Sequence, residues 1–224
     1  MLSEHIMSNN DIKYLIKFTS KEKYANNLLD GELFMRAAVY YHELEQKKGA
    51  GQGDVREGII YPNIAMYKNA YLPIFCLYSV RQNDISNGKT LISQRVVDDF
   101  GCENGFVVLI DYTRFVASLN KCNRMGYELQ CGPVVYGYPK EDLSQKVMAE
   151  KNLDNLFIKC PFFQHQKEFR VVIWHNIEIP NNDWNTDLLY RKYHIPDGIA
   201  DFSKMFYIPS LNRERDDYIL PLYI

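Results

Sequence analysis

The clearest pattern in this chain is a run of β-branched and aromatic residues at 171–174. Such a run predicts a strand that is buried on both faces of a sheet. Gln166 and Glu168 stand just before it, two residues apart, so both side chains point to one side of an extended chain. A carboxylate and an amide at the mouth of a buried strand suit catalysis. The alternative is a solvated strand entry in which Glu168 pairs with Lys167 or Arg170.

The first forty residues predict a strand, a short helix and a second strand. Apolar residues at 14–18 indicate the first strand, and Thr19 with Glu22 has the spacing of a capping box that begins a helix. Gly31 follows the last helical turn, where a residue with positive φ is common. The second strand is expected at 32–36.

Strands outnumber helices in the rest of the chain. Further strands are predicted at 72–80, 105–111, 132–139, 206–209 and 218–223, with shorter ones at 59–61, 64–67 and 156–159. Helices are predicted at 37–45, 95–100, 113–119 and 143–155, and 187–193 fits either type. This is not the regular alternation of a doubly wound sheet. We therefore expect a mixed α+β fold with one domain over 1–224, a flexible terminus at 1–11 and a mobile glycine-rich loop at 44–58.

Composition narrows the functional classes. The chain is 46% hydrophobic and has a formal net charge of −2, so it can bury a core but has no bulk attraction to nucleic acid or anionic membranes. Its five cysteines lack CxxC spacing, and its five histidines lack HxxxH spacing, so neither a disulfide framework nor a metal site is expected. Without a membrane-length apolar run or a signal peptide, the sequence predicts a cytoplasmic protein with no membrane partner.

The remaining candidate chemistry lies at or just past the ends of predicted strands. The candidate residues are Lys17, Tyr40, Tyr41, Ser79, Gln166 and Glu168, with Thr19 and Arg170 beside them. Cleavage of the C–N glycosidic bond of a nucleotide builds positive charge on the ribose, and a carboxylate held against the sugar stabilises that charge. A nearby cation can hold a diphosphate, and an aromatic ring can stack on the leaving base. The set therefore favours chemistry on a nucleotide sugar.

The order of these segments resembles a bacterial family defined only as a domain of unknown function. The resemblance rests on 17–19, 29–34, 105–111, 132–136 and 166–170, and its members carry similar Tyr-Lys-Tyr, Gly-Phe-Val-Ile-Gly-Phe-Asp and Glu-Gln-Glu-Tyr-Arg segments. It covers about 14–174. Members are associated with abortive infection and phage defence, so the resemblance implies a role of that kind.

A more distant resemblance is to toxin-type ADP-ribosyltransferases. Their order is a cation on the first strand, a helix, a glycine, a second strand followed by Tyr, and a late Gln/Glu-x-Glu. This resemblance implies a split β-sandwich, NAD as cofactor and Glu168 as the catalytic carboxylate. It also implies that Gln166 orients the acceptor and that Lys17 anchors the cofactor, with Thr19, Tyr40, Tyr41, Ser79 and Arg170 as further cofactor contacts. The acceptor would be protein or nucleic acid.

Two other functions stay open at this stage. In the first, the same cleft senses a nucleotide or a phage protein without catalysis and signals to a partner in a defence system or to an antitoxin. An ordered pocket the size of NAD that lacks Glu168 in its wall would favour this function. In the second, the chain is a metal-independent nuclease, which would cleave nucleic acid in the absence of NAD.

Overall fold

The computed structural model describes residues 11–41, 71–124, 128–137, 153–174 and 190–223. The helix predicted at 143–155 lies outside these ranges except for its last three residues, and the short strands predicted at 59–61 and 64–67 lie outside them entirely. The glycine-rich loop and all but the last residue of the predicted flexible terminus also lie outside the described residues.

Short strands dominate the described residues. They are β1 (Ile12–Thr19), β2 (Glu32–Ala37), β3 (Pro73–Arg81), β4 (Ile85–Ser86), β5 (Lys89–Ser93), β6 (Phe106–Asp111), β7 (Glu128–Pro133), β8 (Val135–Tyr136), β9 (Ile158–Lys159), β10 (Glu168–Trp174), β11 (Tyr190–His194), β12 (Ser203–Tyr207), β13 (Arg213–Glu214) and β14 (Asp217–Pro221). The α-helices are α1 (Glu22–Leu29), α2 (Gln94–Asp99) and α3 (Tyr112–Arg124), and residues 38–41 are also helical.

The main sheet is organised around β3. One edge of β3 pairs with β10, from Ile74 to Tyr78. The other edge is shared: β1 pairs with its second half and β2 pairs only with its first two residues. The stretch of β3 at 75–77 therefore faces the gap between β1 and β2, which we call the fork. All pairs in this sheet are antiparallel, and only β8 with β9 is parallel among the described strands, so the predicted α+β class with largely antiparallel sheets is confirmed.

The two faces of the main sheet are covered differently, because side chains alternate along each strand. Phe75 and Phe169 belong to a large core under α1 and α3, which we call the helix face. On the second face, Tyr78 belongs to a core built with β5, β14 and α2, whereas Ile74 belongs to a smaller core with Val172. The region of the second face between these two cores is polar, and it holds the candidate site.

Several predicted elements are confirmed with adjusted ends. The strands expected at 32–36, 72–80 and 105–111 are β2, β3 and β6, and the helices expected at 95–100 and 113–119 are α2 and the longer α3. The ambiguous segment at 187–193 contributes strand β11. The strand expected at 132–139 is divided between β7 and β8.

The capping box predicted at Thr19 is wrong. Thr19 is the last residue of β1 and pairs with Phe106, and its hydroxyl donates to the Lys21 carbonyl at 3.3 Å. Helix α1 begins after Lys21, without a side-chain cap. The strand ladder fixes Thr19 in an extended conformation, so its side chain does not reach the first helical turn.

The polar segment at 81–89 contains a short 3₁₀ segment and part of a hairpin. After a short 3₁₀ segment, β4 and β5 form a hairpin whose turn residues are Asn87 and Gly88, with φ of 49° and 69°. Positive φ at both central residues is the signature of a type I′ hairpin, for which Asn-Gly is a favoured pair. The Asn-Gly dipeptide was the signal in the sequence from which this hairpin could have been predicted.

Gly31 illustrates how closely the chain packs at the end of α1. It has φ of +97°, and an added Cβ would lie 2.5 Å from the Ile195 carbonyl oxygen. Gly88 also has positive φ, but no atom lies within 4 Å of its added Cβ. We expect Gly88→Ala to cost about 1 kcal/mol through backbone strain alone, and Gly31→Ala to cost at least about 2 kcal/mol more through the steric clash. Urea unfolding of both variants measures the difference; equal losses would contradict this packing.

Candidate functional site

Glu168 is the first residue of β10, and its side chain is only 4% exposed. It lies opposite Tyr78 of β3, and its backbone N–H donates to the Tyr136 hydroxyl at 2.7 Å. The strand is buried on both faces over nearly all of its length, as the sequence predicted. Glu168 is therefore part of the interior, and the alternative of a solvated strand entry is wrong.

Two cations hold the Glu168 carboxylate. Arg170 Nε donates to Oε1 at 2.7 Å, while Lys159 Nζ and a terminal nitrogen of Arg170 donate to Oε2 at 3.0 and 3.2 Å. Burial alone would raise the pKa of Glu168, but the charges of Arg170 and Lys159 outweigh it and hold that pKa well below its usual range. The carboxylate is ionised at neutral pH, and both oxygens are engaged.

Of the two partners that the alternative of a solvated strand entry offered for Glu168, Lys167 or Arg170, the structure shows Arg170. Lys167 has φ of 40° and its ammonium contacts Asp84 at 2.5 Å instead. Ser79 holds this turn, because its N–H and its hydroxyl both donate to the Lys167 carbonyl, at 2.9 and 2.7 Å. The left-handed residue separates β10 from the 3₁₀ segment that ends at Gln166, so the two side chains do not belong to one extended chain.

Gln166 nevertheless reaches the same group of side chains. Its Oε1 accepts from Lys159 Nζ at 2.9 Å, and its Nε2 donates to Asp99 Oδ2 at 3.0 Å. That same oxygen of Asp99 lies 2.5 Å from His165 Nε2. Lys159 therefore joins the predicted pair of Gln166 and Glu168, and a continuous hydrogen-bonded chain runs from Glu168 to His165.

Lys17 fills the fork. Its ammonium donates to the Cys76 carbonyl of β3 at 2.8 Å and lies 4.3 Å above the centre of the Phe75 ring. Burial lowers the pKa of Lys17, and this effect is partly opposed by the nearby Cys76 and Glu168. Lys17 takes the place that a neighbouring strand would occupy, because neither β1 nor β2 pairs with Cys76.

Cys76 connects Lys17 to Glu168. Its carbonyl accepts from Lys17, and its side chain is close enough to the Glu168 carboxylate for each group to influence the pKa of the other. Burial, followed by the negative charge of Glu168, raises the pKa of the Cys76 thiol far above its ordinary value. The thiol therefore stays protonated at neutral pH. We call Lys17, Cys76, Lys159, Gln166, Glu168 and Arg170 the Glu168 cluster.

The other predicted residues have contacts elsewhere. Tyr40 and Tyr41 follow β2 and form an edge-to-face pair with centroids 5.4 Å apart, with Arg36 stacked 4.1 Å from the Tyr40 ring centre. Thr19 lies at the far end of β1. Ser79 supports the cluster only through the turn at Lys167. The structure thus brings together Lys17, Gln166, Glu168 and Arg170.

Sequence reasoning missed Lys159, Cys76 and Asp99. A signal existed for Lys159, which is a lone charged residue within an apolar segment at 156–160 and is only 6% exposed. Cys76 and Asp99 carried no such signal, since their partners lie far away in the sequence.

A separate cleft of about 500 Å³ opens at the other end of β1. Its wall is formed by Ile12, Lys13, Tyr14, Gln82, Ile85, Asp111, Tyr112 and Thr113. Cavities of this size accommodate ligands as large as nucleotides. Glu168 is not in this wall.

The described residues also bear on metal sites and membrane-spanning helices. Within them, no three His, Cys, Asp or Glu residues are grouped so that they could hold a metal ion. No helix among the described residues is long and apolar enough to cross a membrane. Comparisons with protein-family models, curated proteins and solved structures found no match to this chain.

Replacing Glu168 tests the buried ion pairs. We expect Glu168→Gln to lower the free energy of unfolding by about 3–5 kcal/mol at neutral pH, because it leaves Arg170 and Lys159 without their carboxylate. Glu32→Gln removes the exposed ion pair with Lys192, and this control is expected to cost less than about 1 kcal/mol. Chemical denaturation measures both; a similar small loss in the two variants would contradict a structural role for the pairs.

The wild type and Glu168→Gln are also expected to differ in how their stability depends on pH. The folded pKa of Glu168 lies below the ordinary value of 4.5, so its stabilising contribution is present above that pH and is lost as the pH falls below it. We expect the difference in unfolding free energy between the wild type and Glu168→Gln to narrow as the pH falls from about 5 to about 3. A difference in unfolding free energy that stays constant over this range would show that protonation of Glu168 does not contribute to the pH dependence of stability.

Proposed function

We propose that this chain is an NAD-dependent ADP-ribosyltransferase-like protein, acting as a toxin or phage-defence effector. The observation that supports the proposal is that Lys17 and Glu168 both lie beside Cys76 of β3: Lys17 donates to its carbonyl from the side of Phe75, and the Glu168 carboxylate lies near its thiol on the second face. A cation from the first strand and a carboxylate from a late strand, on either side of a central strand, form the layout expected for this chemistry. The finer fold assignment, an ADP-ribosyltransferase-like split β-sandwich, belongs to the same proposal.

The proposed roles follow from charge and position. Glu168 stabilises the positive charge on the ribose as the bond between C1′ and the nicotinamide nitrogen breaks and its electron pair leaves with nicotinamide. Lys17 attracts the diphosphate. Gln166 orients an acceptor whose oxygen or nitrogen then bonds to C1′ and releases a proton. The acceptor is a protein or a nucleic acid.

This chemistry requires a change in the hydrogen bonds of Glu168. Both of its oxygens are engaged by Arg170 and Lys159. Arg170 is 1% exposed and also donates to the Leu156 carbonyl, so it is firmly held. Lys159 is the partner that must exchange, moving its ammonium from the carboxylate to the dinucleotide so that Oε2 can accept from the ribose.

NAD turnover tests the role of Glu168. We expect wild-type protein to release nicotinamide from NAD and Glu168→Gln to lose at least about a hundredfold in rate, because the neutral amide cannot stabilise the ribosyl cation. Glu32→Gln serves as the control and should retain full turnover. Each protein is assayed at a temperature at which circular dichroism shows it to be folded. Equal, nonzero turnover by wild type and Glu168→Gln would refute the catalytic assignment.

A second candidate function is a non-catalytic module that senses a nucleotide or a phage protein. Two observations favour it. Both oxygens of the Glu168 carboxylate are already engaged, and Glu168 does not line the 500 Å³ cleft. In this case the Glu168 cluster stabilises the second face of the sheet, and the ligand occupies the cleft beside Lys13.

Two lysines on β1 separate these functions. Lys17 lies in the fork and Lys13 lines the cleft, four residues earlier on the same strand. If the dinucleotide binds at the Glu168 cluster, Lys17→Met should weaken NAD binding at least about tenfold and Lys13→Met should not, because a charged hydrogen bond to phosphate is lost. Isothermal titration calorimetry measures both. If instead Lys13→Met weakens NAD binding more than Lys17→Met does, and the protein does not turn over NAD, the sensing module is supported.

A further inference from the structure

The outer surface of β2 and β11 carries aromatic and cationic side chains in alternation. Tyr190 stands opposite Arg36, and Lys192 stands opposite Phe34, so all four project from the same face of this pair of strands. Phe34 and Tyr190 are each 40% exposed, although large aromatic residues are usually buried. We call Phe34, Arg36, Tyr40 and Tyr190 the aromatic ladder.

The rings of the aromatic ladder are held in place by one another and by a guanidinium. Tyr190 stacks on Phe34 with centroids 5.1 Å apart and planes 27° apart. The Arg36 guanidinium lies 5.3 Å from the Phe34 ring centre and 4.1 Å from that of Tyr40. These contacts order the side chains before any ligand arrives, which lowers the entropic cost of binding.

The charge around the aromatic ladder is positive despite the net charge of −2 for the whole chain. Arg36 and Lys192 project from this face, where Lys192 is paired with Glu32 at 3.0 Å, whereas Arg191 stands opposite Met35 and projects from the other face. Stacked aromatic faces beside cations are the features by which proteins bind unpaired bases and the phosphates that join them. A duplex offers its phosphates but not the faces of its bases.

We propose that the aromatic ladder is a binding surface for single-stranded nucleic acid. Unpaired bases stack on the exposed faces of Tyr190 and Phe34, and Arg36 contacts the phosphates. This binding does not depend on the proposed function, because it involves neither NAD nor Glu168.

The position of the aromatic ladder would also suit an acceptor. Arg36 pairs with Ile74, which shares the second face of the sheet with Cys76 and Glu168, since β3 alternates without interruption along β10. From strand spacings, Arg36 lies on the order of 15 Å from Glu168. If the transferase proposal holds, a strand bound on the ladder would be two or three nucleotides away from the Glu168 cluster.

Tyr207 provides a matched control. Like Tyr190 it is exposed on a strand that lies at the end of the main sheet, and it packs against Phe106 with centroids 5.1 Å apart and planes tilted by 41°. Among the described contacts, no cation lies over either ring of that pair. Tyr207→Ala therefore removes the same kind of cross-strand aromatic pair without touching the ladder.

The experiment is fluorescence anisotropy of the full chain with labelled mixed-sequence oligonucleotides of single-stranded DNA, single-stranded RNA and duplex DNA, over a range of salt concentrations. We expect wild-type protein to bind a single strand more tightly than the duplex. Tyr190→Ala should weaken that binding at least about fivefold, since one stacked base is lost, while Tyr190→Phe and Tyr207→Ala should bind like wild type. Arg36→Gln should reduce the slope of log affinity against log salt by about 0.7, for one lost phosphate contact.

Three results would overturn the proposal: no binding of any single strand at low salt, duplex bound at least as tightly as single strands, or equal losses in Tyr190→Ala and Tyr207→Ala. NAD turnover and NAD binding are measured on the same Tyr190→Ala protein. Loss of oligonucleotide binding with NAD binding intact separates this surface from the Glu168 cluster, so the two proposals can fail independently.

Discussion

The second face of the main sheet depends on the ion pairs between Glu168, Arg170 and Lys159. Removal of an ion from water costs several kcal/mol, and this cost is recovered only when the partners are close and the remaining hydrogen-bonding groups are satisfied. Here both carboxylate oxygens are engaged, and Arg170 has a further acceptor in the Leu156 carbonyl. The pairs link β9 to β10, Arg170 links β10 to the 3₁₀ segment at Asp154–Phe157, and these groups lie between the two apolar cores of the second face.

The fork explains why polar groups are present at this point. Strand β3 pairs with β10 along one edge and with parts of β1 and β2 along the other. On that second edge, a short stretch of its backbone has no strand partner. A buried carbonyl without a donor is costly, and the Lys17 ammonium supplies that donor. Burial of an ammonium is costly in turn, and the nearby carboxylate of Glu168 offsets part of that cost. The topology of the sheet thus brings the cation and the acid together.

The same geometry supports two different functions. A first-strand cation and a late-strand carboxylate at one point of β3 suit chemistry on a dinucleotide. A carboxylate whose two oxygens already accept hydrogen bonds from Arg170 and Lys159 equally suits a structural role. Catalysis would need one of these oxygens to accept a hydrogen bond from the substrate instead. Under the transferase proposal Lys159 is the partner that must exchange, because Arg170 is also held by the Leu156 carbonyl.

The sequence alone determined the class of the fold and most of its strands. Runs of apolar residues placed β3, β6 and β10, and Gly31 was placed correctly after α1, because these signals are local. It also singled out Gln166 and Glu168, through their position at the start of a buried strand. Thr19 failed as a helix cap because the β1–β6 ladder held it extended.

Only the tertiary structure decided what surrounds Glu168. Lys159, Cys76 and Lys17 come from three different strands, and Asp99 comes from a helix. Their encounter depends on the register of β3 with β10 and on the division of one edge of β3 between β1 and β2. Neither is encoded by local periodicity, since strand pairing joins residues that are far apart in the chain. For the same physical reason, the stacking of Tyr190 on Phe34 became visible only when β11 was placed beside β2.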